Sequence, residues 1–152
     1  MERITAIKQN ELRTELARWI NGWTFSAFLT LTSPNNYSSL SSIPVKHQSY
    51  IDRCFVNAEQ RLNLSLAAIG LSILSYGGYI HSHLVITNTA SKNFSQKELD
   101  TLERSWRYEA DAQSITAQDA LLDYIVSEKH LERCKGYEIA IFGTEILSSK
   151  AG

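Results

Sequence analysis

Two histidines and a tyrosine–glutamate pair are the residues of this chain best suited to joint chemistry. His81 and His83 stand two apart in the run Tyr76 to Ile86, which reads Tyr-Gly-Gly-Tyr-Ile-His-Ser-His-Leu-Val-Ile. Side chains on a strand alternate faces, so both imidazoles project to one side with Tyr79 and Val85, about 7 Å apart along the backbone. That spacing lets them share one divalent cation, although two histidines hydrogen-bonded on a sheet surface satisfy the same pattern. Ile80, Leu84 and Ile86 point the other way and form the expected buried face. Ser82 interrupts that face but is small, and a modest apolar residue would fit in its place if the face is buried. Further on, Tyr124 and Glu128 lie four apart, one above the other on a helix. If their face meets the histidine strand, a phenol and a hard carboxylate stand beside two imidazoles. Mg²⁺ or Mn²⁺ prefers oxygen donors, accepts imidazole, and fills its octahedron with water and phosphate oxygens. A metal there would polarise a phosphate for attack by the phenol, leaving a covalent ester. Packing explains the same two helical residues without chemistry: the tyrosine as a core residue with a satisfied hydroxyl, the glutamate as a solvated carboxylate.

Several elements must place these groups. Leu12, Leu16, Trp19 and Ile20 recur at helical spacing over residues 8–20, and Asn21-Gly22 stops that helix. Thr24 to Thr32 is aromatic and β-branched, a strand. Ser33 to Ser42, with Pro34, two asparagines and four further serines, has the composition of a loop, and of a mobile one. Pro44 fits the first turn of a helix running to about Asn63, whose stripe is Tyr50, Ile51, Cys54, Phe55, Ala58 and Leu62. Leu64 to Ser75 is a second strand, joined through Gly77-Gly78 to the histidine strand, which ends near Thr87 and completes a hairpin. Ser95-Gln-Lys-Glu98 is a capping box ahead of a helix to about Arg104. Trp106 to Ile115 forms a fourth strand, Thr116 caps a helix over 117–131, and Tyr137 to Phe142 is the last strand. Five strands and interspersed helices in this order predict an α+β fold: a five-stranded, mainly antiparallel sheet with helices packed on it, related to ferredoxin-like arrangements.

Composition narrows the class. At 152 residues the chain reads as one domain over 1–152, large enough for a single core without staples. A hydrophobic fraction of 43% and a charged fraction of 20% are those of a globule rather than a disordered chain. The net charge of −1 argues against non-specific coating of nucleic acid while leaving room for a local basic groove. Cys54 and Cys134, far apart, suggest no disulfide framework and fit a reducing cytoplasm. The longest apolar run, Leu64 to Leu74, is too short to span a bilayer and contains two serines and a glycine, so no membrane partner is expected. His47 and His130 are the remaining histidine candidates for a site, each read first as an ordinary surface histidine.

Three stretches in order, Phe28-Leu-Thr-Leu-Thr32, His81-Ser-His83 and Tyr124-Ile-Val-Ser-Glu128, resemble the motifs of the HUH endonucleases. Within that superfamily the resemblance is to the catalytic domain of single-tyrosine rolling-circle replication initiators of phages and plasmids. It covers roughly residues 24–143 and includes the tryptophan-bearing stretch from Ser105. It implies a five-stranded antiparallel sheet with the histidines on a central strand. It also implies metal-dependent, site-specific nicking and joining of single-stranded or hairpin DNA. His81, His83 and Glu128 would hold Mg²⁺ or Mn²⁺, and Tyr124 would form a 5′-phosphotyrosine link while freeing a 3′-hydroxyl that primes replication. A host helicase is an implied partner. The chain departs from the family at Ser82, where a large hydrophobic residue is usual, and at Ser127, where many relatives carry lysine. Leu64 to Tyr76 also lacks the carboxylate that many relatives supply as third ligand.

Two other readings use the same residues. A binding module on this sheet would recognise a single strand or hairpin without cleaving it. In it, Tyr76, Tyr79, Trp106 and Tyr108 would stack on bases, and Arg104, Arg107 and Lys129 would meet phosphates. A ferredoxin-like RNA-cleaving protein would use a histidine without metal.

Overall fold

The computed structural model describes residues 25–90, 93–115 and 134–143, with three exposed helical positions, Glu11, Thr14 and Arg18. The expected helix 117–131, with Tyr124, Glu128 and Lys129, lies outside the described residues, as do His130 and most of the expected helix 8–20.

Five strands form one antiparallel sheet: β1 (Ala27–Thr32), β2 (Leu66–Ser75), β3 (Ile80–Asn88), β4 (Ala110–Ser114) and β5 (Cys134–Phe142), in the order β4-β1-β3-β2-β5. Two described helices, α1 (His47–Leu62) and α2 (Gln96–Ser105), pack on it. The fold is α+β, and the histidine strand β3 is its centre.

Register shows which side each residue serves. Ala27, Leu29 and Leu31 of β1 pair with Ile86, Leu84 and Ser82 of β3, and Ala68 pairs with Ile86 from the other flank. These residues face Ile51, Cys54, Phe55 and Ala58 of α1 and Leu99 and Leu102 of α2 in one core. Each large branched side chain fully buried there contributes about 1.5–3 kcal/mol of transfer free energy. Alternation sends Phe28, Thr30, Ile69, Leu71, His81, His83 and Val85 to the opposite side. Of these, Phe28, Ile69, Leu71, His83 and Val85 are also buried. A two-sided core explains why β2 reads as a continuous apolar run rather than an alternation.

The β2–β3 hairpin depends on two glycines. Gly78 takes φ 91°, a left-handed conformation that closes the loop after Ser75. Within β2, a Cβ at Gly70 would overlap the His83 carbonyl, so only glycine allows the two central strands this approach. The loop after β1 is tied to the hairpin despite its composition. Ser33 N–H donates to the Ile80 carbonyl (3.0 Å), Tyr37 N–H to the Gly78 carbonyl (2.6 Å), and the Asn36 amide to the Gly77 carbonyl (3.2 Å).

Two helix boundaries show how far local signals reach. The capping box forms as expected: Glu98 N–H donates to Ser95 Oγ and Ser95 N–H to Glu98 Oε1. Pro44, expected inside the first turn of α1, instead precedes the helix, its carbonyl accepting from His47 N–H at 3.0 Å. The fourth strand starts at Ala110 rather than Trp106. Trp106 is buried at the end of α2, and its Nε1–H donates to the Thr32 carbonyl at 3.0 Å.

Candidate functional site

His81 and His83 occupy one face of β3, opposite Thr32 and Thr30 of β1. Their surroundings differ. His81 is exposed, whereas His83 is only 6% exposed. His83 stacks on Phe28 with ring centroids 6.0 Å apart and planes 3° from parallel, and its Nδ1 lies 3.3 Å from Thr30 Oγ1. A ring clamped between an aromatic plane and a hydroxyl cannot turn freely. The Thr30 hydroxyl can hold Nδ1 as donor or as acceptor, so it fixes the ring's place in either tautomer.

Ser82, between them, points to the helix side. Its Oγ lies 2.7 Å from Ser72 Oγ and 3.0 Å from His47 Nε2, and both serines are completely buried. His47 begins α1 and is 2% exposed, so the expectation of a surface histidine there is corrected. Burial pushes its imidazole down to about 4, so it is neutral at pH 7. The polar residue in the middle of the His-x-His stretch therefore has a structural reason: it hydrogen-bonds β3 to the start of α1 and to β2. Its face is buried, yet an apolar residue would leave His47 and Ser72 without that partner. The missed role of His47 had a signal in the chain, for it lies four residues before Ile51 at the head of the buried stripe of α1. Glu138 extends this row on β5, opposite Ser72, and burial raises its carboxyl above the usual range.

His81 and His83 share a face two residues apart, the placement that a shared divalent cation would require. Among the described residues no group of three His, Cys, Asp or Glu is placed to hold a metal. The expected third ligand, Glu128, and the expected nucleophile, Tyr124, lie outside the described residues.

The arginines expected to meet DNA are elsewhere. Arg104 ends α2 and Arg107 follows it; both are exposed, on the helix side of the sheet rather than beside the imidazoles. The Arg104 carbonyl accepts from the Arg61 guanidinium at 3.1 Å. Lys129 is outside the described residues. Tyr76 and Tyr79, at the hairpin tip next to His81, are 45% and 44% exposed and present aromatic surface at that end of β3. The buried Trp106 does not. Cys54 and Cys134 are both buried, and neither is in a disulfide. No described helix is long and apolar enough to cross a membrane. No protein-family model, curated protein or solved structure matches the chain.

Proposed function

We propose that this chain nicks and joins single-stranded DNA through a covalent tyrosine link, as the motif resemblance implies for a rolling-circle initiator. The observation that carries the reading is the pair of imidazoles on one face of the central strand, His81 open and His83 oriented by Thr30 and Phe28. His81 and His83, with Glu128 as third ligand, would hold Mg²⁺ or Mn²⁺. When bound, such an ion supplies Lewis-acid polarisation of a phosphate oxygen. In the chemical step the Tyr124 phenol loses its proton and its oxygen forms a bond to phosphorus. The bond from phosphorus to the 3′-oxygen breaks, and that oxygen takes up a proton. The products are a 5′-phosphotyrosine and a free 3′-hydroxyl, and the reverse reaction joins ends.

The test is incubation with end-labelled single-stranded DNA and Mn²⁺, followed by a denaturing gel. The expected result is a protein–DNA adduct that Tyr124→Phe abolishes and His81→Ala strongly reduces, with strand binding kept in both. Binding without an adduct in any divalent metal would replace this reading by the non-cleaving module. Metal-free cleavage of RNA would replace it by the ribonuclease.

A further inference from the structure

On the helix side, a cleft of about 310 Å³ opens between α1 and the segment that follows α2. Its size falls at the lower end of the roughly 300–1,000 Å³ of small-ligand sites. Arg53 of α1 and Arg107 both line it, and among the described residues no acidic one does. In a chain whose net charge is −1, this is a local concentration of positive charge. Tyr108 adds an aromatic surface that is 48% exposed, held edge-on against the buried Trp106 with centroids 5.8 Å apart and planes at 78°. The Asn35 and Asn57 amides complete the wall with groups that can both donate and accept. Burial raises the thiol of Cys54, also in the lining, to about 12, which makes it a neutral part of that wall.

Two guanidiniums, an open aromatic face and two amides match the three parts of a nucleotide: phosphate, base plane and base edge. The place fits as well. Ser33 lines the cleft and directly follows Thr32, the cross-strand partner of His81, so the cleft and the exposed imidazole share one end of the β1–β3 pair on opposite sides of the sheet. We infer that the cleft binds one unstacked nucleotide of the single-stranded DNA substrate, with Arg53 and Arg107 on its phosphate and Tyr108 against its base. This rests on the nicking reading for the identity of the strand. It makes the cleft an anchor that fixes where the rest of the strand meets the histidine face.

The experiment measures fluorescence anisotropy of a labelled single-stranded DNA of mixed sequence, titrated with the full chain carrying Tyr124→Phe so that binding is read without chemistry. Adding Arg53→Gln and Arg107→Gln together should weaken binding at least about ten-fold and flatten its salt dependence by about one phosphate contact or more. Tyr108→Ala should weaken it about ten-fold, the loss of one stacked base. As a check independent of substituted arginines, a strand bearing iododeoxyuridine should crosslink to Tyr108 under ultraviolet light. Unchanged binding in the folded double-arginine variant would overturn the proposal. So would crosslinks confined to residues outside the cleft, binding of RNA alone, or a parent chain that binds no single strand. An adduct that forms normally in the double-arginine variant, with unchanged binding, sinks the cleft and spares nicking. Arginine-dependent binding with no adduct from the unsubstituted chain sinks nicking and spares the cleft.

Discussion

The two sides of β3 use histidine in opposite ways. On the helix side, His47 is buried, neutral and hydrogen-bonded to Ser82, which in turn meets Ser72. On the other side His81 is exposed, and His83 is held by a hydroxyl and an aromatic ring. The residue type is the same, and Ser82, the partner of His47, is the immediate neighbour of both strand histidines. What differs is access to water and the partner of each ring nitrogen. A histidine whose polar atom is sealed among serines can only tie elements together, whereas one at the surface can meet a ligand. Substitutions on the helix side should therefore register as stability, and those on the imidazole side as activity.

The largest expected effect breaks the helix-side foundation. Leu84→Ala, in the core that α1 and α2 cover, should cost about 2–5 kcal/mol in chemical denaturation. Acid comes next. The folded His47 imidazole sits near 4 while its ordinary value is 6.5, so the unfolded chain takes up the proton more readily. Its contribution to stability is complete above about pH 6.5, declines as the pH falls toward about 4, and is flat below that. The whole effect is at most about 3 kcal/mol. Denaturation midpoints across that window should fall for the unsubstituted chain and flatten in His47→Gln. Ser82→Val should cost about 1–3 kcal/mol by leaving His47 and Ser72 short of a partner, although valine suits a strand. A stabilised Ser82→Val would show that the polar row is dispensable and collapse the contrast. The smallest change in stability belongs to His81→Ala, within about 0.5 kcal/mol as for an exposed position, together with loss of the metal-dependent adduct. A large loss of stability there would make both sides structural.

Much of the scaffold was legible in the chain because its signals are local. The capping box at Ser95 and Glu98, the Gly77-Gly78 turn and the stripe Ile51, Cys54, Phe55, Ala58 each depend on a few neighbouring residues, and each took the expected form. Strand ends were less legible. Trp106 has strand propensity but is buried at the end of α2, and its indole bonds to a carbonyl on β1, a partner 74 residues away. The loop after β1 has the composition of a free segment, yet its hydrogen bonds run to the β2–β3 turn. Of the candidate site, the shared face of His81 and His83 followed from strand alternation alone. The unequal burial of the two did not, because it depends on what the neighbouring strands bring beside each ring.

The sequence by itself determined the alternation that puts two imidazoles on one side, the order of the five strands and the two described helices, and the α+β class, since periodicity and capping act within a few residues. The tertiary structure alone decided that His47 joins the far side of the histidine strand through Ser82, and that Arg53 and Arg107 line one cleft. Those outcomes join residues from separate elements. They arise from strand order and from helices docking on the sheet, which bury some polar groups against each other and leave others at an open wall.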